Sequence, residues 1–127
     1  MESFTFQTTG SILCEAGATR KIGEIVRGYG CRKIAFVTDE MILKLGLADA
    51  AFDGLKKAGV DIWVFSQVAA DPPEAMVLEA AEKARHEKID GVVSVGGGSS
   101  MDTAKLIAVL ARSDQPLSEM YGVGLVT

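Results

Sequence analysis

The sequence is poor in the residues that build metal and nucleophile centres. Its 127 residues contain one histidine, two cysteines, three prolines and one tryptophan. The histidine, His86, stands in a charged run with Arg85, Glu87 and Lys88, which reads as a solvated helix face. Cys14 and Cys31 lie far apart, outside any CxxC or Cys/His pattern. A metal-ligand cluster has nothing to draw on, and two free thiols in a reducing compartment are expected instead of a disulfide framework. Long apolar runs are also missing: none approaches the roughly 18 residues a membrane span needs. The opening MESFTFQTTG lacks the basic start and apolar stretch of a secretory signal. Excess positive charge is absent, since 13 Lys and Arg face 17 Asp and Glu for a net charge of -4. The basic residues are scattered, so nucleic-acid and membrane-surface partners are not expected. Cytoplasmic placement is the default.

What is present is an ordinary globular composition, 48% hydrophobic and 24% charged, with 14 glycines. The length suits one domain that buries roughly two thirds of the surface its unfolded chain exposes. Phe4-Thr5-Phe6 and Ser11 to Gly17 suggest two short strands around Thr9-Gly10. Ala18 to Tyr29 has a helical stripe in Ile22, Ile25, Val26 and Tyr29. Lys33 to Thr38 is a buried strand ended by Asp39. Short helical stretches over Met41 to Leu45 and Ala48 to Ala58 follow, with Gly59 as a stop. A strand over Val60 to Phe65 precedes Asp71-Pro72-Pro73. Next come a helix from Glu74 to Lys88 with Val77, Ala80, Ala81 and Ala84 inward, and a strand over Gly91 to Val95. Beyond three glycines, a helix from Ser100 to Ala111 carries the stripe Ala104, Ile107, Ala108 and Ala111, and Pro116 precedes a last helical turn near Leu117 to Tyr121. Strands alternate with helices and are continuous apolar runs. This pattern predicts an α/β domain whose parallel sheet is covered by helices on both faces, with the N-terminal strand pair beside it.

In such a sheet, ligands sit at the carboxyl ends of the strands. Gly96-Gly97-Gly98-Ser99-Ser100 falls there. Bare glycines let backbone N–H groups approach a phosphate, and the following helix aims its positive end at the same spot. The competing reading is a tight turn with a helix cap, in which Ser99 and Asp102 form a capping-box variant. Three successive glycines exceed what a cap requires, which favours the phosphate. The run is neither GxGxxG nor a P-loop. Asp39 also ends a strand. A carboxylate there accepts from ribose hydroxyls and repels a 2'-phosphate, or simply caps the Glu40 to Leu45 turn. Asp71-Pro72-Pro73 is either a capped helix start or the rigid wall of an adenine or ribose pocket. Glu79, Glu82, Lys83 and Lys88 pair along a helix surface, and Lys105 stands three residues after Asp102. Trp63 reads as core.

GGGSSMDTAK after a VVSV strand, with VTD and ADPPEAMV upstream, resembles the iron-containing (group III) alcohol dehydrogenase family. The opening residues and YGVG fit it too, so the resemblance covers essentially the whole chain. The GGGS-x-x-D-x-AK run is shared with the related glycerol and dehydroquinate-synthase-like enzymes. The resemblance implies a Rossmann-like, dehydroquinate-synthase-like N-terminal domain that binds NAD(P). In the family a helical C-terminal domain carries iron or zinc. The resemblance further implies that Gly96, Gly97, Gly98, Ser99, Ser100 and Met101 hold the cofactor pyrophosphate, with Asp102 beside the cradle. Asp39 would contact the adenosine ribose and favour NAD over NADP. Asp71 would lie near the adenine, where many members have Asn before Pro. Family dimers pair N-terminal strands across a two-fold axis, which suits Phe4-Thr5-Phe6. The family's metal ligands and a second, Thr-rich cofactor segment come later than these 127 residues reach. The expectation is therefore residues 1–127 as a truncated NAD-binding domain of a metal-dependent alcohol dehydrogenase. By itself it would hold no catalytic or metal residues, be inactive, and form a homo-oligomer, a dimer by the family's habit. The alternative is a non-catalytic nucleotide-binding or oligomerisation module.

Overall fold

The computed structural model of the chain describes residues 3–4, 6, 10–68, 73–115 and 119. A 3₁₀ turn, Ala18–Lys21, leads into helix α1, Ile22–Gly28. Strand β1, Lys33–Val37, is followed by the helices α2, Glu40–Lys44, and α3, Asp49–Lys57. Strand β2, Asp61–Phe65, then leads to α4, Glu74–His86, and strand β3, Gly91–Ser94, to α5, Gly98–Leu110. The three strands form one parallel sheet in the order β2-β1-β3. The expected α/β architecture with a parallel sheet is therefore present.

Strand β1 is the middle of this arrangement, paired on both edges and covered on both faces. Side chains alternate across a strand. Ile34 and Phe36 accordingly pack with Val26, Ala51 and Leu55 of α1 and α3. Ala35 and Val37 pack on the other side with Ala80 and Ala84 of α4 and Ala104 and Ile107 of α5. All four strand residues are fully buried. Each of the larger ones contributes about 1.5–3 kcal/mol by leaving water. Phe36 also meets the Phe52 ring, with centroids 4.4 Å apart. By comparison, ion pairs such as Lys83–Glu79 and Lys105–Asp102 sit on exposed helix surface and are worth a few tenths of a kcal/mol. The fold rests on the two apolar layers.

Polar groups fix the amino ends of the strands. The Asp90 carboxylate accepts from the backbone N–H groups of Arg32 and Lys33 at 2.9–3.1 Å, which sets β3 beside β1. The Lys33 ammonium donates to Glu87 at 2.8 Å and holds that carboxyl below its usual range. Cys31 is a free, partly covered thiol, and burial together with the Asp90 charge pushes its pKa up. Cys14 is free and exposed.

Several expectations need correction. Ser11–Cys14 form no strand. A strand needs a hydrogen-bonded neighbour, and Ile12 and Leu13 are instead 78% and 51% exposed. The other half of that expected pair falls partly outside the described residues. In the first helical segment only Gly23 and Val26 are buried in α1, while Tyr29 is 81% exposed. The helix stops one residue before Tyr29 and leans on α3 through its glycine side. In α5 the inward residues are Thr103, Ala104, Ile107 and Leu110, and Ala108 is exposed. Leu110 turns toward Val77 and Ala81 of α4, so the buried face includes the helix–helix seam as well as the sheet side. The helix cap of α4 is Pro73, not Asp71. The last helical turn expected near Leu117 lies mostly outside the described residues. His86 is exposed, and Trp63 is partly buried against the α4/α5 layer. No helix among the described residues is long and apolar enough to cross a membrane.

The first helical segment and α3 approach through glycine. A Cβ on Gly23 would stand 2.0 Å from the Gly54 carbonyl oxygen, and one on Gly54 would stand 2.5 Å from the Arg20 oxygen. Both obstacles are backbone, which a rotamer change does not relieve. Gly23→Ala is expected to lower unfolding stability by about 1–3 kcal/mol. Gly28→Ala in the same helix, where an added Cβ meets nothing within 4 Å, is expected to be neutral or slightly stabilising. Urea midpoints of the two variants decide the matter, and equal midpoints would contradict the close-approach account.

Candidate functional site

The carboxyl ends of the three strands are tied together by short bonds. The Thr38 N–H donates to the Phe65 carbonyl at 3.0 Å, and the Val95 N–H donates to the Val37 carbonyl at 3.2 Å. The Thr38 hydroxyl donates to the Val95 carbonyl at 2.7 Å. Just beyond, Asp39 and Gln67 form a single bridge between the chains leaving β1 and β2.

From this edge the chain departs in two directions. After β1 it runs into α2 and α3 on the Ile34/Phe36 face. After β3 it runs into α5 on the Ala35/Val37 face. The strands β1 and β3 are neighbours, so the loops that leave them diverge and open a crevice. This is the switch point at which open α/β sheets take ligands. Asp39 stands on one side of it and the glycine turn on the other.

The three glycines are not equivalent. Gly96 has φ +151°, and a Cβ there would meet the Ser100 Oγ at 2.7 Å and Cβ at 3.0 Å. Its bareness serves the protein's own packing. Gly97, with φ -85° and ψ -168°, is the N-cap of α5, and Gly98 is the first residue of that helix. A Cβ on either would meet nothing within 4 Å. Among the described residues no contact requires these two to be glycine, and both face open space.

The capping box weighed for Ser99 and Asp102 does not form. The helix starts earlier, at Gly98, and its cap Gly97 offers no side-chain acceptor. The first intrahelical donor is Met101 N–H, which reaches the Gly97 carbonyl at 3.1 Å. The N–H groups of Gly98, Ser99 and Ser100 are the uncapped first turn of the helix. Ser100 is buried, 2% exposed, beneath Gly96. Thr103, fully buried, donates its hydroxyl to the Ser99 carbonyl at 2.7 Å. Met101 is 49% exposed. Asp102 lies on the outer surface with Lys105 at 3.9 Å.

Asp39 does two things at once. One carboxylate oxygen accepts from the Ile42 N–H at 2.8 Å and caps α2. The other, Oδ2, lies 3.6 Å from the Cβ position of Gly96. The oxygen that caps α2 and the oxygen beside Gly96 are therefore different ones. The structure thus brings together Asp39 and the run Gly96 to Ser100, with Met101 and Asp102 at the rim. Asp71 lies outside the described residues. Thr38 was not anticipated as part of the site. The signal available in the sequence was a hydroxyl residue closing an apolar strand next to an acid.

A different depression, of about 510 Å³, lies beside Trp63 against Glu82, Lys83, Arg85, His86 and Glu87. These residues belong to the C-terminal end of α4, toward the amino edge of the sheet, and the Arg85 guanidinium is already engaged with the Leu110 and Ser113 carbonyls. The chemistry converges at the opposite edge.

Known proteins resemble this chain in sequence and in fold. Choline dehydrogenase of Bacillus subtilis is 43% identical over 115 residues, which cover 90% of this chain and 29% of that enzyme. NAD-dependent methanol dehydrogenase of Bacillus methanolicus is 33% identical over 110 residues, 87% of this chain and 29% of the enzyme. The crystal structure of NADH-dependent butanol dehydrogenase A from Thermotoga maritima superimposes with a TM-score of 0.81 at 38% identity, over 91% of this chain and 29% of that one. The chain therefore spans under a third of the length of these relatives. Residues 9–126 match the family model of the iron-containing alcohol dehydrogenases, and the chain belongs to that family.

Proposed function

We propose that this chain is the NAD-binding part of a metal-dependent alcohol dehydrogenase, and that Gly97, Gly98 and the first turn of α5 receive the pyrophosphate of the cofactor. The observation that carries this reading is the pair of glycines with open space where a Cβ would stand, set beside an uncapped helix start. Backbone N–H groups of Gly98, Ser99 and Ser100 supply hydrogen bonds, and the helix dipole supplies positive potential. Gly96 shapes the turn. The buried Ser100 contributes through its backbone, and Met101 and Asp102 border the cradle on the outer side of α5. The free Oδ2 of Asp39 accepts from the adenosine ribose and disfavours a 2'-phosphate, which makes NAD the cofactor in preference to NADP. Asp71 is assigned to the adenine side on the family resemblance.

Bound nicotinamide would exchange a hydride with the carbon of an alcohol or aldehyde. This chain's part is to bind and orient the dinucleotide. Among the described residues no group of three or more His, Cys, Asp or Glu is placed to hold a metal ion. The iron or zinc of the parent reaction is assigned to residues outside these 127. Expressed as these 127 residues alone, the protein is expected to bind NADH without oxidising it in the presence of an aldehyde.

A second role, self-association, is favoured by the exposed apolar side chains at the N-terminus. Phe4, Phe6 and Ile12 are 78–82% exposed, and Leu13 is 51% exposed. Side chains of this size clustered near one terminus suit a contact with a second copy.

Three measurements test these readings. Gly98→Ala is expected to raise stability by about 0.5 kcal/mol, because the helical conformation and the open space both accept a methyl. The same change is expected to weaken NADH binding about tenfold or more, since the methyl occupies the approach to the turn. Unchanged NADH affinity in a stabilised variant would sink the cradle. Asp39→Asn keeps a good helix cap and removes the charge. Fluorescence titration with both cofactors is expected to show the NADH preference shrinking about tenfold, or 1.4 kcal/mol, with the melting temperature held. A preference that survives intact would relieve Asp39 of its role. Light scattering is expected to give an oligomer that Phe4→Ser with Phe6→Ser dissociates, and a monomeric parent chain would count against self-association.

A further inference from the structure

We propose that Thr38 is a positioning residue for the nucleotide turn, its buried hydroxyl setting the first peptide plane of the glycine run. This inference rests on the reading of that turn as a dinucleotide site. Thr38 is fully buried, so its hydroxyl is out of reach of any ligand and acts through its partner. That partner is the Val95 carbonyl, at 2.7 Å and 57 residues away in sequence. Val95 is the residue before Gly96. A peptide unit is planar, so holding the Val95 carbonyl also fixes the direction of the Gly96 N–H.

Two further bonds make the anchor rigid. The Thr38 N–H is held by the Phe65 carbonyl at 3.0 Å, and the Val95 N–H by the Val37 carbonyl at 3.2 Å. The next residue after Thr38 is Asp39, whose Oδ2 lies 3.6 Å from the Cβ position of Gly96. Thr38 thereby couples the two walls of the site. With the hydroxyl gone, the Val95 carbonyl loses its partner, and the turn samples orientations that the bound dinucleotide must then select against.

The role separates from ordinary core packing because the hydroxyl and the methyl of threonine can be removed one at a time. Thr38→Val keeps the shape and removes the hydrogen bond. Thr38→Ser keeps the hydrogen bond and removes the methyl. In the full chain, Thr38→Val is expected to raise the NADH dissociation constant about tenfold. It is also expected to speed amide hydrogen exchange at Val95 and Met101, the bonded N–H groups on either side of the glycines, in the NADH-free protein by a similar factor. Thr38→Ser is expected to keep both within about twofold of the parent while lowering the melting temperature, as a lost buried methyl does. If Thr38→Val does not fold, Thr38→Ala against Thr38→Ser gives the same hydroxyl comparison. Parental affinity and exchange in Thr38→Val, or equal damage in the serine variant, overturns the proposal. Absence of NADH binding by the parent defeats the functional reading. In that case the exchange comparison alone decides whether Thr38 orders the turn.

Discussion

The structure depends on the double burial of β1. Its side chains fill two apolar layers, its edges pair with β2 and β3, and four consecutive residues have no exposed surface. A strand held in this way has no freedom to slide, because a shift of one residue would exchange its two faces. Its carboxyl end therefore offers a fixed platform. Thr38 and Asp39 extend from it, and the ends of β2 and β3 are bonded to it. The crevice follows from the covering helices, since α3 and α5 pack on opposite faces and pull the loops after β1 and β3 apart.

Within that frame the glycine run divides into two kinds of bareness. Gly96 is bare because Ser100 lies against it. Gly97 and Gly98 are bare with none of the described residues against them. An internal steric reason and a vacant approach leave the same letter in the sequence and have different consequences for substitution. The first is a matter of folding, and the second has no packing reason among the described residues. Asp39 shows a similar economy, one oxygen capping α2 and the other facing the crevice. A cap and an acceptor had looked like rival roles for one carboxylate, yet the geometry accommodates both.

Much of the architecture was legible from periodicity. Lys33 to Thr38 read as a buried strand and Gly91 to Val95 as a further strand because apolar runs bounded by Asp and Gly have few other solutions. The inner face of α4 was predicted residue by residue, and Val77, Ala80, Ala81 and Ala84 are all buried. The failures share a cause. Tyr29 and Ala108 lie on faces that a helical wheel marks as inward, but a wheel does not know where the neighbours are. The glycine contact with α3 rotates α1 away from Tyr29, and the α4/α5 seam draws Leu110 inward in place of Ala108. The capping box at Ser99 failed because the helix began before it. The N-terminal strand expected at Ser11–Cys14 had the composition of a strand without a neighbour to pair with among the described residues.

The sequence by itself determined the order of elements, the parallel sheet, the position of the glycine turn at a strand end and the family to which the chain belongs. All of these are written in local spacing, which survives without knowledge of the rest of the chain. Only the tertiary structure decided that Gly96 packs on Ser100 while Gly97 and Gly98 meet none of the described residues, that Asp39 lies beside Gly96, and that Thr38 holds the Val95 carbonyl. The last two are distances of a few ångströms between residues more than fifty positions apart. Such distances are set by how two apolar layers close on β1, and no stretch of neighbouring letters contains them.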